Sequence, residues 1–229
     1  MSRPKKKPNY NSEKIMEELL EEVAAIYISA DGNPCYSIRK IADEFDMTPL
    51  KVRKLLVTAG VFSSEISEKI NELKKAGRTI LEIQKITGLS RASVHSYLPY
   101  TKMIYNTEEL SLNAQRIRTF RERKSAVACL EEKMKEKTTS SILEDALWRT
   151  ISIFDDYPFY TMHGLRFTYS LKGNEIFVSR KEKAITRSTI VLALHKTLEL
   201  QQNVTGPKQL GTFGASYLYS MFKHFRVIL

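Results

Sequence analysis

The sequence predicts a mainly α-helical protein that ends in a small α+β portion. Three observations carry that expectation. Apolar residues recur at three- and four-residue steps through most of the first 136 positions, the period of a helix with one buried face. A pattern of leading helix, short helix, tight turn and second short helix occurs twice, offset by 42 residues. Strict apolar–polar alternation is confined to one stretch, "GLRFTYSLKGNEIFVSR" at 164–180, where it indicates paired strands.

The elements follow in order. Residues 1–11 form a basic, proline-containing arm expected to be disordered. Residues 12–30 read as an amphipathic helix with Ser12 as its cap and Ile15, Leu19, Val23 and Ile26 as its stripe; "DGNP" then stops it. Ser37 caps a short helix carrying Ile38, Ile41, Ala42 and Phe45. Asp46-Met47 turns the chain, and Thr48 caps a second helix with Pro49 at its first position, where the missing N–H is harmless. Val52, Leu55 and Leu56 face inward, and Gly60 ends the helix. In the second copy Gly77 breaks the leading helix, Ile80, Ile83 and Ile86 mark the next, Gly88 turns and Ser90 caps the last. Superposing the copies lays Ile41 on Ile83, Val52 on Val94 and Leu56 on Leu98.

Residues 107–138 read as one long polar helix with a narrow apolar stripe that includes Leu110, Ile117, Phe120, Val127, Leu130 and Met134. After a boundary in "KEKTTSS" come a helix ended by Asp155-Asp156 and Pro158, one β-hairpin turning at Gly173-Asn174, a further helix, and a last short helix. Trp148, Phe154, Tyr157, Phe159, Phe213, Tyr217 and Phe222 are expected to build the C-terminal core, with His195 packed nearby. The expected division is 1–11, 12–62, 63–106, 107–138 and 139–229.

Charge narrows the partners. Lys and Arg number 36 against 26 Asp and Glu, a formal charge of +10 that attracts polyanions. The two cysteines, Cys35 and Cys129, exclude a disulfide scaffold and lack zinc-ligand spacing, so reduced thiols in a cytoplasmic setting are expected. No apolar run reaches the roughly 18 residues of a membrane span, and no apolar segment follows the basic N-terminus as in a secretory leader. A phosphate-binding loop, a GxSxG elbow and a dinucleotide-binding turn are all missing, and the four histidines are scattered; no cofactor or metal is expected.

"ITGLSRASVHSYL" at 86–98 carries the functional reading. A helix entering a DNA groove needs small or polar side chains outside, a tight turn before it, and a preceding helix locked across it. Gly88 supplies the turn. Ile83, Leu89, Val94 and Tyr97 face inward, and Ser90, Arg91, Ser93, His95 and Ser96 are available outside. This stretch resembles the bacterial helix-turn-helix superfamily, departing at Gln84, where that superfamily usually has alanine. "IRKIADEFDMTPLKVRKLL" resembles it too, keeping the alanine as Ala42 but carrying Asp46 in place of the usual glycine; its outer face offers Thr48, Lys51, Arg53 and Lys54. The two resemblances cover about residues 12–100, and residues 101–229 resemble no family.

The resemblance implies tandem helix-turn-helix units; the residue pattern after them adds a long charged linker helix and a small C-terminal α+β domain with one β-hairpin. The resemblance also implies a non-enzymatic, sequence-specific double-stranded DNA-binding protein, a bacterial or mobile-element transcription regulator that is cytoplasmic and nucleoid-associated. Residues 139–229 would then provide a homodimer contact, an RNA polymerase contact or a second DNA contact. Arg116, Arg118, Arg121, Arg123 and Lys124 either track phosphates or form a solvated face. Arg180, Lys181, Lys183 and Arg187 surround an expected helix N-terminus and form a second candidate anion contact. Two alternatives stay open. Asp155, Asp156, Glu175 and Lys181 or Lys183 superficially match the acid-and-lysine set of a metal-dependent nuclease, which would make this a DNA-processing or recombination accessory protein. A protein-interaction adaptor with degenerate units would bind no DNA.

Overall fold

The computed structural model describes residues 11–28, 35–101, 107–136 and 139–229. The basic arm, apart from Asn11, and the "DGNP" stop lie outside them. The chain divides into two compact units, Met1–Phe120 and Arg121–Leu229.

The first unit holds two successive sets of three helices: α1 (Ser12–Tyr27), α2 (Ile38–Glu44), α3 (Pro49–Thr58), then α4 (Glu65–Lys75), α5 (Ile80–Thr87) and α6 (Arg91–Ser96). Local chemistry starts each one. Ser37, Thr48, Ser64, Thr79 and Ser90 all accept the backbone N–H three residues on, which satisfies a donor that the first helical turn leaves open. The cap of α1 is Asn11, bonded to the Lys14 N–H at 3.1 Å, one residue earlier than the expected Ser12, which already belongs to the first turn. Ile41, Val52 and Leu56 and their partners in the repeat, Ile83, Val94 and Leu98, are all buried. They seed two small cores, one around Phe45 and Leu55, the other around Ile70 and Ile83.

Helix α7 (Thr107–Lys135) contributes to both units. Ile117 and Phe120 join the core around Phe45, with the Phe45 and Phe120 rings stacked at 4.7 Å. Leu130, Val127 and Met134 join the core of the second unit.

The second unit continues with α8 (Ser140–Ile153), β1 (Phe159–Tyr160), β2 (Arg166–Phe167), β3 (Tyr169–Lys172), β4 (Glu175–Val178), β5 (Ile185–Thr186), α9 (Arg187–Glu199) and α10 (Ala215–His224). The expected hairpin is present as β3–β4, turning at Gly173-Asn174 with Lys172 opposite Glu175. It is not alone. β5 pairs antiparallel with β4, and β1 pairs with β2 as a separate two-stranded sheet. These added strands are two residues long, too short for alternation to be read. Tyr169 is fully enclosed and donates its hydroxyl to the Ile151 carbonyl at 2.7 Å, which answers the polar atom that burial would otherwise leave unpaired; burial also pushes the phenol well above its ordinary pKa. Among the described residues no helix is long and apolar enough to cross a membrane.

Candidate nucleic-acid interface

Two tight turns position the candidate side chains. Asp46 adopts a left-handed backbone (φ 48°), and the Met47 N–H returns to the Ala42 carbonyl at 2.8 Å. Aspartate tolerates that region better than most residues, so the turn forms without glycine. In the second copy Gly88 takes the same region (φ 69°), and its N–H bonds the Gln84 carbonyl at 2.8 Å. The chain therefore re-enters a helix at Thr48 and at Ser90.

On α6, Ser90 and Arg91 are exposed, as is Ala92, while Ser93 and His95 are half-buried. Ser96 is different. Only 3% of it is exposed, and its Oγ accepts from the Arg53 guanidinium at 3.2 Å while donating to the Ser93 carbonyl at 2.7 Å. Ser96 is covered by α3, which packs on α6 and brings Arg53 to it. It is therefore not a reading position.

The same packing removes Arg53 from the expected outer face. Its guanidinium lies 4.4 Å from the Tyr97 ring centroid as well as bonding Ser96, an enclosed stacked arrangement rather than a free cation. Lys54 sits over the Tyr100 ring at 4.6 Å. Thr48 is exposed. Lys51 reaches Asn113 of α7 at 3.5 Å, and Arg116 bonds both Asn113 (3.3 Å) and the Asp46 carbonyl (3.2 Å). Half-buried Arg116 thus fastens α7 to the α2–α3 turn, a role that neither expected reading, phosphate contact or solvated face, included. Arg118 and Arg121 are exposed on α7.

One positive cluster does assemble. Burial first, and then Lys54, Arg91 and Lys74, disfavour the His95 imidazolium and hold its pKa below the ordinary value. The charges of three helices, α3, α6 and α4, thus act on one imidazole. Lys74 was not singled out in the sequence because it ends the leading helix of its unit. Asn71 explains its position: its amide donates to the Tyr97 carbonyl at 3.2 Å and draws the last turn of α4 beside α6.

The second unit holds a separate basic loop. Arg180, Lys181 and Lys183 are exposed between β4 and β5, with the two lysine ammoniums 4.6 and 5.1 Å from the Phe213 ring centroid. Phe213, expected in the core, is 40% exposed. The neighbouring Gly214 backbone lies against Ile185 instead, so close that an added Cβ would fall 2.2 Å from its Cδ1. Arg187 is not part of this loop cluster: it pairs with Asp145 and lies 5.4 Å from the Trp148 ring centroid, bracing α9 on α8. His195 likewise is no core residue. Its side chain is 43% exposed and bonds Glu144 at 2.8 Å, with the Ser140 hydroxyl 3.2 Å from the same ring nitrogen. Because carboxylate and hydroxyl share one nitrogen, the geometry differs from a nucleophile–base–carboxylate relay, which uses both.

The acids do not gather. Asp155 accepts the Leu171 N–H at 3.2 Å, and Glu175 lies opposite Lys172 and Thr186 in the sheet. Among the described residues no group of three or more His, Cys, Asp and Glu could hold a metal ion. Comparison of the chain with protein-family models, with curated proteins and with solved structures finds no match.

Proposed function

We propose that the protein binds duplex DNA sequence-specifically and regulates transcription by occupying its site. The observation that carries this reading is the short helix α6, which follows a tight left-handed turn with Arg91 and Ala92 exposed, where the charges of Lys54, Arg91 and Lys74 act on His95. Arg91 is suited to a bidentate contact with a guanine edge, and small Ala92 and Ser93 allow close approach to bases. Lys54 and Lys74 place the head on the backbone by charge. Arg180, Lys181 and Lys183 serve the second unit as a backbone contact of their own. In this reading the second unit also provides self-association or a polymerase contact.

The test is a salt titration of affinity for short duplexes. If about six phosphates are neutralised, log affinity falls with log salt at a slope of about −5. A flat titration would remove DNA from the reading. Arg91→Ala is expected to weaken binding to the preferred site by about 1–3 kcal/mol and binding to random duplex much less. Equal losses on both would make Arg91 a backbone contact.

A further inference from the structure

The two repeated helix sets meet through α3 and α6, and their contacts obey the 42-residue offset. Under that offset Arg53 is the equivalent of His95, and Lys54 the equivalent of Ser96. Arg53 bonds Ser96 across the contact and lies over the Tyr97 ring, while Lys54 lies over the Tyr100 ring. Thr58 and Tyr100 are equivalents of each other, and the Tyr100 N–H donates to the Thr58 Oγ1 at 3.0 Å. Equivalent helices of the two copies thus face each other inside one chain.

Distance then limits what this pair can reach. Packed helices lie about 8–10 Å apart. Successive major grooves on one face of DNA are about 34 Å apart, and one groove, about 12 Å wide, admits one helix of about that diameter. α3 and α6 cannot occupy two grooves, and they cannot both fill one. Exposure selects between them. α3 is flanked by α6 on one side and by Asn113 and Arg116 of α7 on another, whereas Arg91 and Ala92 stand clear on α6.

We propose that the two units work as one reading head: α6 enters a single major groove, α3 braces it with Thr48 and Lys54 toward the flanking phosphates, and each chain recognises one uninterrupted segment shorter than a helical turn. This rests on the DNA-binding reading above.

The test uses the full chain and duplexes selected from a pool with 20 random base pairs. Hydroxyl-radical footprinting of the selected duplex is combined with sedimentation of the complex, which counts the chains bound. One protected block per bound chain is expected, with base preference confined to that block. Two blocks per chain that both carry base preference, centred about ten base pairs apart, would overturn the single head while leaving DNA binding intact. In an Arg180→Ala, Lys181→Ala, Lys183→Ala variant, which lacks the backbone contact of the second unit, a second block that persists would do the same. Failure to retain any duplex at low salt would sink the DNA reading itself, and with it this one. Lys54→Ala separates brace from reader: affinity should fall several-fold on every sequence, with the salt slope smaller by about one. A changed base preference in that variant would contradict the bracing role of α3.

Discussion

Arg53 joins two things at the α3–α6 contact, a hydrogen bond to a buried serine and a stacked tyrosine ring, from a half-buried position. Arg53→Ala removes both together and is expected to destabilise the protein by about 1–3 kcal/mol, read as a lower urea midpoint. Arg53→Lys should recover only part of that, because an ammonium lacks the planar fork that stacks and bonds at once. An unchanged midpoint in both variants would mean that Arg53 does not join the two helices. His95 gives a pH dependence with a definite sign. Its folded pKa lies below the unfolded value of about 6.5, so the unfolded chain takes up the proton first. Stability should therefore fall as pH drops through about 6.5 and on through the folded pKa, and His95→Gln should flatten that part of the profile. DNA phosphate would reverse the local repulsion, so affinity should rise over the same acid range. At this scale the caps were legible, since Thr48 and Ser90 bond groups three residues away. Ser96 was not, because the residue that covers it lies 43 positions earlier.

The helices and turns of the first half were legible because each rests on short-range rules: a cap, a stripe, a left-handed residue. What α7 does was only half legible. Its apolar residues show that something is buried, but nothing in a periodicity says that Phe120 meets Phe45 while Leu130 meets the second unit's core. The β-structure divides the same way. The β3–β4 hairpin announces itself through four-residue strands and a Gly-Asn turn, whereas β1, β2 and β5 exist only because chain brought back by longer connections pairs with them. Two glycines give a paired prediction. Gly173 and Gly214 both have positive φ (61° and 74°), but a Cβ at Gly173 meets open space and one at Gly214 meets Ile185. Gly173→Ala should cost about 1 kcal/mol from backbone strain, and Gly214→Ala clearly more, since overpacking adds about 1–3 kcal/mol to the same strain. Thermal midpoints compare the two directly, and equal shifts would show that Ile185 yields without cost.

The described residues build three cores, and the sequence indicated them: repeated aliphatic positions for the two in the first unit, an aromatic-rich segment for the third. The relation between the two copies was half visible. The 42-residue repeat could be read by superposition, yet repeats that stack head to tail and repeats that face each other share the same sequence pattern. Contacts decide between them, and here they decide for facing copies. That has a consequence for assembly. A surface that joins two copies within one chain can join copies on different chains as well, and only tethering favours the closed form. The tether, residues 59–64, is six residues long; it spans at most about 20 Å and holds the partners at an effective concentration in the millimolar range. Deleting residues 60–62 should leave a strand too short for the chain to close on itself, so that α6 of one molecule finds α3 of another by domain exchange. Sedimentation would then show a species heavier than the intact protein, its share growing with concentration. An unchanged mass at every concentration would mean that the short tether still closes.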